Sequence, residues 1–318
     1  MSNVFITIDI GIAYVSGDNA LEFSEMFQRM IYGTTRQGDC GLPLVSKILC
    51  DNGLTGSFFI ESLFALNKGI QPLQEIVVPI SNAQHEVQLQ IDARTANWYS
   101  ERLFGEELPR TSFSDCTLKQ QTRLIKAARE LLLCAGIRDV NAFRTNSSEI
   151  NLDTLKALSA NGIFIDSSVY EVSSSNGSDI FPDEKILQPG MLNDVFSYPV
   201  TVFKESEHQF RYLRLAVCSY RELESVLLHA LENEWESVVI GMQSYDLMTA
   251  GQARLDKIAL RRFNRLCQLL ADNSDVYQVR GFSGFKPTHV VIQQPELYIS
   301  GQLNRFLRGG EQAIRRVI

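Results

Sequence analysis

Four short apolar runs constrain this chain most. "VFITIDI" (4–10), "GSFFI" (56–60), "EVQLQI" (86–91) and "SVVIGM" (237–242) are rich in Val, Ile and Phe and too short for helices. Runs of that kind belong to strands buried on both faces, which is the pattern of a parallel sheet. Segments of helical periodicity lie between and around them, at about 19–31, 43–52, 71–83, 117–135, 151–161, 219–232 and 252–272. "NLDTLKALSANG" (151–162) carries both end signals. Asn or Asp starts it, Leu152, Leu155 and Leu158 line one face, and Asn161–Gly162 stops it. Strand and helix alternate along the whole length, which predicts an α/β fold with a parallel sheet or barrel.

No linker divides the chain, and no internal repeat or low-complexity tract stands out. The clearest loop is "EVSSSNGSDIFPDE" (171–184), rich in Ser, Asn and Gly. With 318 residues there is room for one barrel domain or for two small domains. The expected division is a barrel over 1–295 and a basic amphipathic tail over 296–318. The net charge of −7 and the lack of a long basic run argue against a nucleic-acid partner. Six cysteines are scattered with no C-x-x-C pair, as reduced cytosolic thiols would be. "MSNVFITIDI" lacks the basic and apolar regions of a signal peptide, and no apolar run approaches a membrane span. The expected location is the cytoplasm.

In α/β barrels chemistry gathers at the carboxyl ends of the strands. The residues to read are therefore Asp9 to Gly11, Gln90 to Arg94, Arg144 with Thr145 and Asn146, and Gln243 to Asp246.

In order, these segments resemble the polysaccharide deacetylases, metal-dependent carbohydrate esterases of the nodulation type. "FITIDIG" sits where that family has a strand ending in Thr-Phe-Asp-Asp-Gly. "NGLTGSFFIE" (52–61) is similar to the strand that follows. "QHEVQLQIDART" is similar to the stretch that carries the metal histidines. "AFRTNSSEINLDTLKALSANGIFIDSSV" (142–169) is similar to the family's arginine segment over nearly thirty positions, and "VVIGMQSYDL" (238–247) to the late strand that normally ends in a histidine. The resemblance spans roughly residues 4 to 250. It implies a distorted (β/α) barrel of about seven strands and, by custom of the family, removal of an acetyl group from an N-acetylated sugar.

The family's mechanism needs a divalent metal to lower the pKa of bound water and to polarise the amide carbonyl. By the resemblance, Asp9 takes the place of the general base and Arg144 that of the arginine that orients it. The metal aspartate falls on Ile10, the two metal histidines on Gln90 and Arg94, and the acid histidine on Gln243. A carboxamide is a poor zinc ligand and a guanidinium is none. The expectation is a site with no metal and no cofactor. The chain's histidines, His85, His208, His229 and His289, offer no obvious substitutes. Asp9 and Asp92 without a metal would leave buried negative charge, which is costly unless compensated. The Arg94 guanidinium can stand in the metal's place and pair with Asp9 or Asp92, and Arg144 adds a second positive group.

Each of these residues also has a plainer reading. Asp9 can cap a helix from a loop. Gln90 and Gln243 can be structural hydrogen-bonders instead of sugar contacts. Arg94 can be solvated, Arg144 can sit in a structural salt bridge, and Asp246 can be an ordinary loop aspartate. Trp98 can stack on a sugar ring or pack under a loop.

The C-terminal stretch "GQLNRFLRGGEQAIRRVI" (301–318) sets four arginines beside Leu303, Phe306, Leu307 and Ile314. It reads either as an amphipathic helix touching an anionic membrane or a partner, or as a terminal helix packed on the barrel and broken at Gly309–Gly310. The functional expectation is a bacterial deacetylase-like protein without zinc-dependent activity. It would bind a glycan, a sugar precursor or a protein partner in surface-polysaccharide metabolism. The alternatives are an active carbohydrate hydrolase with a rearranged or metal-free site, and a regulatory subunit with a vestigial pocket.

Overall fold

A computed structural model describes residues 1–12, 22–92, 102–105, 113–145, 150–168, 189–207, 209–249, 251, 253–287 and 296–317. The chain forms two compact units. The first comprises Met1–Ser57, Val200–Gly281 and Pro295–Ile318, and the second comprises Phe58–Pro199 and Phe282–Gln294.

In the first unit the Ser2–Ile10 strand pairs in parallel with Ser237–Gln243, in register from Asn3–Ser237 to Asp9–Gln243. Its first residues also pair with Tyr277–Val279. Val4, Phe5, Ile6 and Ile8 are all buried, so consecutive side chains on both faces of this strand are covered. That accounts for the unbroken apolar run in the sequence. The helices Leu42–Asp51, Tyr220–Glu232 and Lys257–Asp272 bury Val45, Leu49, Leu223, Leu227, Phe263 and Leu266. The Tyr220–Glu232 helix starts with a capping box: Ser219 N–H donates to Glu222 Oε2 at 2.9 Å, and Glu222 N–H donates to Ser219 Oγ at 3.3 Å. The periodic pattern expected over 19–31 is a short α-helix, Phe23–Phe27, that widens into a π-helical turn, Gln28–Tyr32. Gly33 ends that turn at φ +60°, and a Cβ there would lie 2.6 Å from Met248 Sδ and 2.7 Å from Gly41 N. Only glycine satisfies both the dihedral and the space.

The second unit takes up the Gly56–Glu61 strand from Phe58 onward, and the strands Glu86–Ile91, Ala142–Thr145, Ile165–Asp166, Val195–Ser197 and Gly190–Leu192 follow it in turn across the sheet. Ala142–Thr145 is parallel to both its neighbours, while the last pair is antiparallel. The Leu118–Cys134 and Leu152–Ala160 helices both begin in capping boxes, at Thr117 with Gln120 and at Asn151 with Thr154. Leu155 and Leu158 are buried as expected, but Leu152 is exposed. Steps of three residues drift around a helix, which carries Leu152 to the rim of the apolar stripe.

The C-terminal segment is one helix, Gln302–Val317, that runs unbroken through Gly309 and Gly310. The expected break does not occur, because two glycines raise the helix energy by only about 1 kcal/mol each. Contacts made from the helix on either side of them outweigh that. The 171–184 loop lies outside the described residues.

Candidate functional site

The candidate residues fall into two groups, one in each unit. In the first unit Asp9 stands near the carboxyl end of its strand and is 2% exposed. Its register partner on the neighbouring strand is Gln243, whose Nε2 donates to Asp9 Oδ2 at 3.2 Å. The chain then turns sharply. Gln243 N–H donates to Asp246 Oδ2 at 2.9 Å, and Asp246 N–H donates to Gln243 O at 3.1 Å. Ser244 Oγ donates to Met30 O at 2.8 Å, which ties this turn to the π-helical one. Turns of π type often accompany functional sites because they re-aim carbonyls and side chains.

Asp246 is buried, and burial pushes its carboxyl up to about 6. The Gln243 N–H and then the Arg214 and Arg315 guanidinium groups pull it down, and the charge of Asp9 pushes it up. A carboxyl tuned to that range exchanges its proton near neutral pH. Asp246 thus closes the turn and holds its proton more tightly than an exposed carboxyl does.

In the second unit Gln90 and Arg144 are register partners on adjacent parallel strands. Arg144 is fully buried. Its Nε donates to Ser167 O at 2.7 Å and its Nη2 to Ser167 Oγ at 2.8 Å. Its guanidinium carbon lies 4.3 Å from the centre of the Phe59 ring. Ser167 Oγ in turn donates to Tyr198 O at 2.8 Å. Ser168 Oγ donates to Asp166 Oδ1 at 2.6 Å and accepts from Thr145 N–H at 3.1 Å. The "D-S-S" run therefore locks the backbone and the guanidinium of the arginine strand into one arrangement. Gln90 is 1% exposed, and its Oε1 has no hydrogen-bond partner. Asp92 follows directly after the strand and is buried.

One residue of this group is absent from the sequence-based list. Glu61 ends the Gly56–Glu61 strand and is 2% exposed. Its Oε1 accepts from Leu63 N–H at 3.0 Å, while its Oε2 has no partner. Burial pushes this carboxyl up to about 8, with the Leu63 N–H opposing and the charge of Asp92 adding to the rise. At neutral pH Glu61 is thus a neutral acid with an O–H to give. The signal was available, since Glu61 is the polar residue that closes an apolar strand run. Arg94 and Trp98 lie outside the described residues.

The donor chemistry does not fit a zinc ion. Zinc asks for thiolate, imidazole or carboxylate ligands. Ile10, next to Asp9, is a buried hydrocarbon, and Gln90 and Gln243 present carboxamides. The Asp9 oxygen that faces Gln243 already accepts a hydrogen bond from it. Among the described residues no group of three or more His, Cys, Asp and Glu side chains could hold a metal ion. His85 is buried, with its ring 5.3 Å from that of Phe58, and precedes the Glu86–Ile91 strand at its amino end.

No protein-family model matches this sequence. No curated protein matches it either. Solved structures do match, and they define the class: the chain has the α/β, distorted (β/α)-barrel fold of the polysaccharide deacetylases. In particular it is similar to a candidate polysaccharide deacetylase from Mycobacterium smegmatis, at 18% identity and TM-score 0.54, over 93% of this chain and 95% of that one. A 4-alpha-glucanotransferase from Thermococcus litoralis shares the fold at 10% identity and TM-score 0.51, over 95% of this chain and 41% of that one. The fold expected from the sequence resemblance is the fold found.

Proposed function

We propose that this protein has kept the deacetylase fold as a glycan-binding scaffold and has given up zinc-dependent hydrolysis. The observation that carries the reading is the Gln243 amide seated on the Asp9 carboxylate, with Ile10 beside it. A carboxylate that must ligate a metal or take a proton from water needs a free oxygen lobe and an anionic or imidazole neighbour. Here the neighbour is a carboxamide that donates a hydrogen bond to Asp9 and supplies no proton acceptor. Gln90 and Glu61 support binding instead. The buried Gln90 Oε1 and the idle Oε2 of the neutral acid Glu61 offer one acceptor and one donor. Sugar hydroxyl and acetamido groups present the complementary pair. The pathway we propose is bacterial surface-polysaccharide metabolism, in the cytoplasm.

Calorimetry with N-acetylated oligosaccharides, with and without added zinc, tests this. The reading expects binding and no release of acetate in either case. Zinc-dependent release of acetate would overturn it.

A second reading is favoured by one observation. Glu61 is a neutral acid with an idle oxygen in the field of the Asp92 charge. A neutral carboxyl group near a second carboxyl group is equipment that metal-free acid–base chemistry can use. Turnover of a glycoside in the presence of chelator, abolished by Glu61→Gln, would establish it. Binding without turnover would leave the first reading in place.

A further inference from the structure

The C-terminal helix is amphipathic in the inverse sense. Its polar face is the one that docks on the first unit. Asn304 Nδ2 donates to Tyr298 Oη at 3.1 Å. Arg308 is 7% exposed and bridges Glu222, at 2.5 Å, and Glu205. Glu311 accepts from Arg262 Nη2 at 2.6 Å. Gln312 Nε2 donates to Ala216 O at 3.1 Å, and Arg315 Nε pairs with Asp256 at 2.5 Å. These positions recur at i, i+4, i+7, i+8 and i+11, so they form a single stripe.

The opposite face is apolar and exposed. Leu303 is 60%, Phe306 79%, Leu307 37% and Ile314 51% exposed. Leu303, Leu307, Gly310 and Ile314 are spaced by four, three and four residues, the a/d spacing of a helix-pairing seam. Gly310 falls within this seam, and a Cβ built on Gly309 or Gly310 meets nothing within 4 Å, so another backbone can approach closely there.

Charge decides between occupants. An anionic membrane would be drawn by cations on the exposed face. Arg308 and Arg315 are instead turned inward and consumed by Glu222, Glu205 and Asp256, and the half-buried Arg305 lies on a different side of the helix from the Leu303–Leu307–Gly310–Ile314 seam. The outward seam is uncharged, and a chain of net charge −7 gains nothing from an anionic surface. What matches an uncharged seam of a/d spacing is another of the same kind. Two copies of the four exposed apolar side chains present roughly 1,000 Å², and the flanking Gly309, Gly310 and Ala313 bring a pair of seams into the range of a stable interface.

From this we propose that the Gln302–Val317 helix is a self-association element, pairing with the same helix of a second copy through Leu303, Phe306, Leu307 and Ile314. The ion pairs beneath hold the helix in place and fix which face it presents. The inference does not depend on the proposed function.

Light scattering on the full chain across a micromolar concentration series tests it, in wild type and in Leu303→Gln/Ile314→Gln. Glutamine keeps helix propensity, and neither residue is buried, so the fold is retained. Far-ultraviolet circular dichroism and the thermal midpoint of the variant at low concentration check this. The expected result is a concentration-dependent dimer for wild type and at least tenfold weaker association for the variant. A wild type that stays a single chain at every concentration would overturn the inference. So would a variant that dimerises as tightly as wild type, or a monomer that sediments with phosphatidylcholine–phosphatidylglycerol vesicles.

Discussion

Gln243 Nε2 and Asp9 Oδ2 are 3.2 Å apart, on register partners of two parallel strands. The contact places an amide donor at the residue expected to be the site's base. A hydrogen bond to a charged acceptor contributes more than one between neutral groups. Gln243 is only partly buried, so the Gln243→Leu change is expected to destabilise by about 1 kcal/mol. Asp9→Asn should absorb part of that loss. Urea unfolding of the two single variants and the double variant gives the coupling energy. A coupling indistinguishable from zero would mean that the two side chains do not interact.

Glu61 makes stability depend on pH in an unusual direction. Its folded-state pKa of about 8 lies above the ordinary 4.5. The folded chain therefore keeps a proton that the unfolded chain has lost, so stability falls as pH rises from about 4.5 to about 8 and levels off beyond. Asp246 adds a smaller loss of the same sign between its ordinary 3.8 and about 6. Glu61→Gln has no proton to lose. Relative to wild type it should gain on the order of 3 kcal/mol between pH 5 and pH 8. Parallel pH profiles for variant and wild type would show that Glu61 is ionised in the folded protein.

Arg144 has a geometry that lysine cannot copy. Two guanidinium nitrogens contact Ser167, and the plane covers Phe59. Arg144→Lys keeps the charge but loses the fork, so a loss of about 2–3 kcal/mol is expected. Arg144→Met removes the buried charge as well and strands its acceptors, with a loss of about 3–5 kcal/mol. Thermal unfolding of both variants checks the order. A lysine variant as stable as wild type would reduce Arg144 to a simple point charge.

Arg308 ties the last helix to two separate elements, through Glu205 and Glu222. Arg308→Met leaves the buried Glu222 without a cation, while Glu205 keeps its pair with Arg211, and is expected to cost about 3 kcal/mol. Because Glu222 also caps the Tyr220–Glu232 helix, the effect should reach beyond the C-terminus. Hydrogen exchange would show faster exchange over both helices. Exchange confined to 302–317 would limit Arg308 to a local anchor.

Much of the fold was legible because the buried strands are continuous apolar runs, and that signal is hard to mistake. The Val202–Ser206 and Gln209–Tyr212 hairpin lacked it, since its half-exposed strands carry Lys204, Glu205 and Arg211 among the aromatics. The last helix was legible as amphipathic, but not which face would dock. That choice belongs to Glu205, Glu222 and Asp256, roughly fifty to a hundred residues away in sequence. The strand-end positions of Asp9, Gln90, Arg144 and Gln243 in the candidate site were legible, because strand ends could be counted. Glu61 could have been read as the polar residue closing the GSFFI strand, but its raised proton affinity comes from burial, which a sequence does not display.

The most direct test of the central claim is equilibrium dialysis of the purified chain against zinc, with Asp9→Asn as the control. The account predicts far less than one zinc per chain at the site, and no difference between wild type and the Asp9→Asn variant. One tightly held zinc per chain, lost in the Asp9→Asn variant, would contradict it.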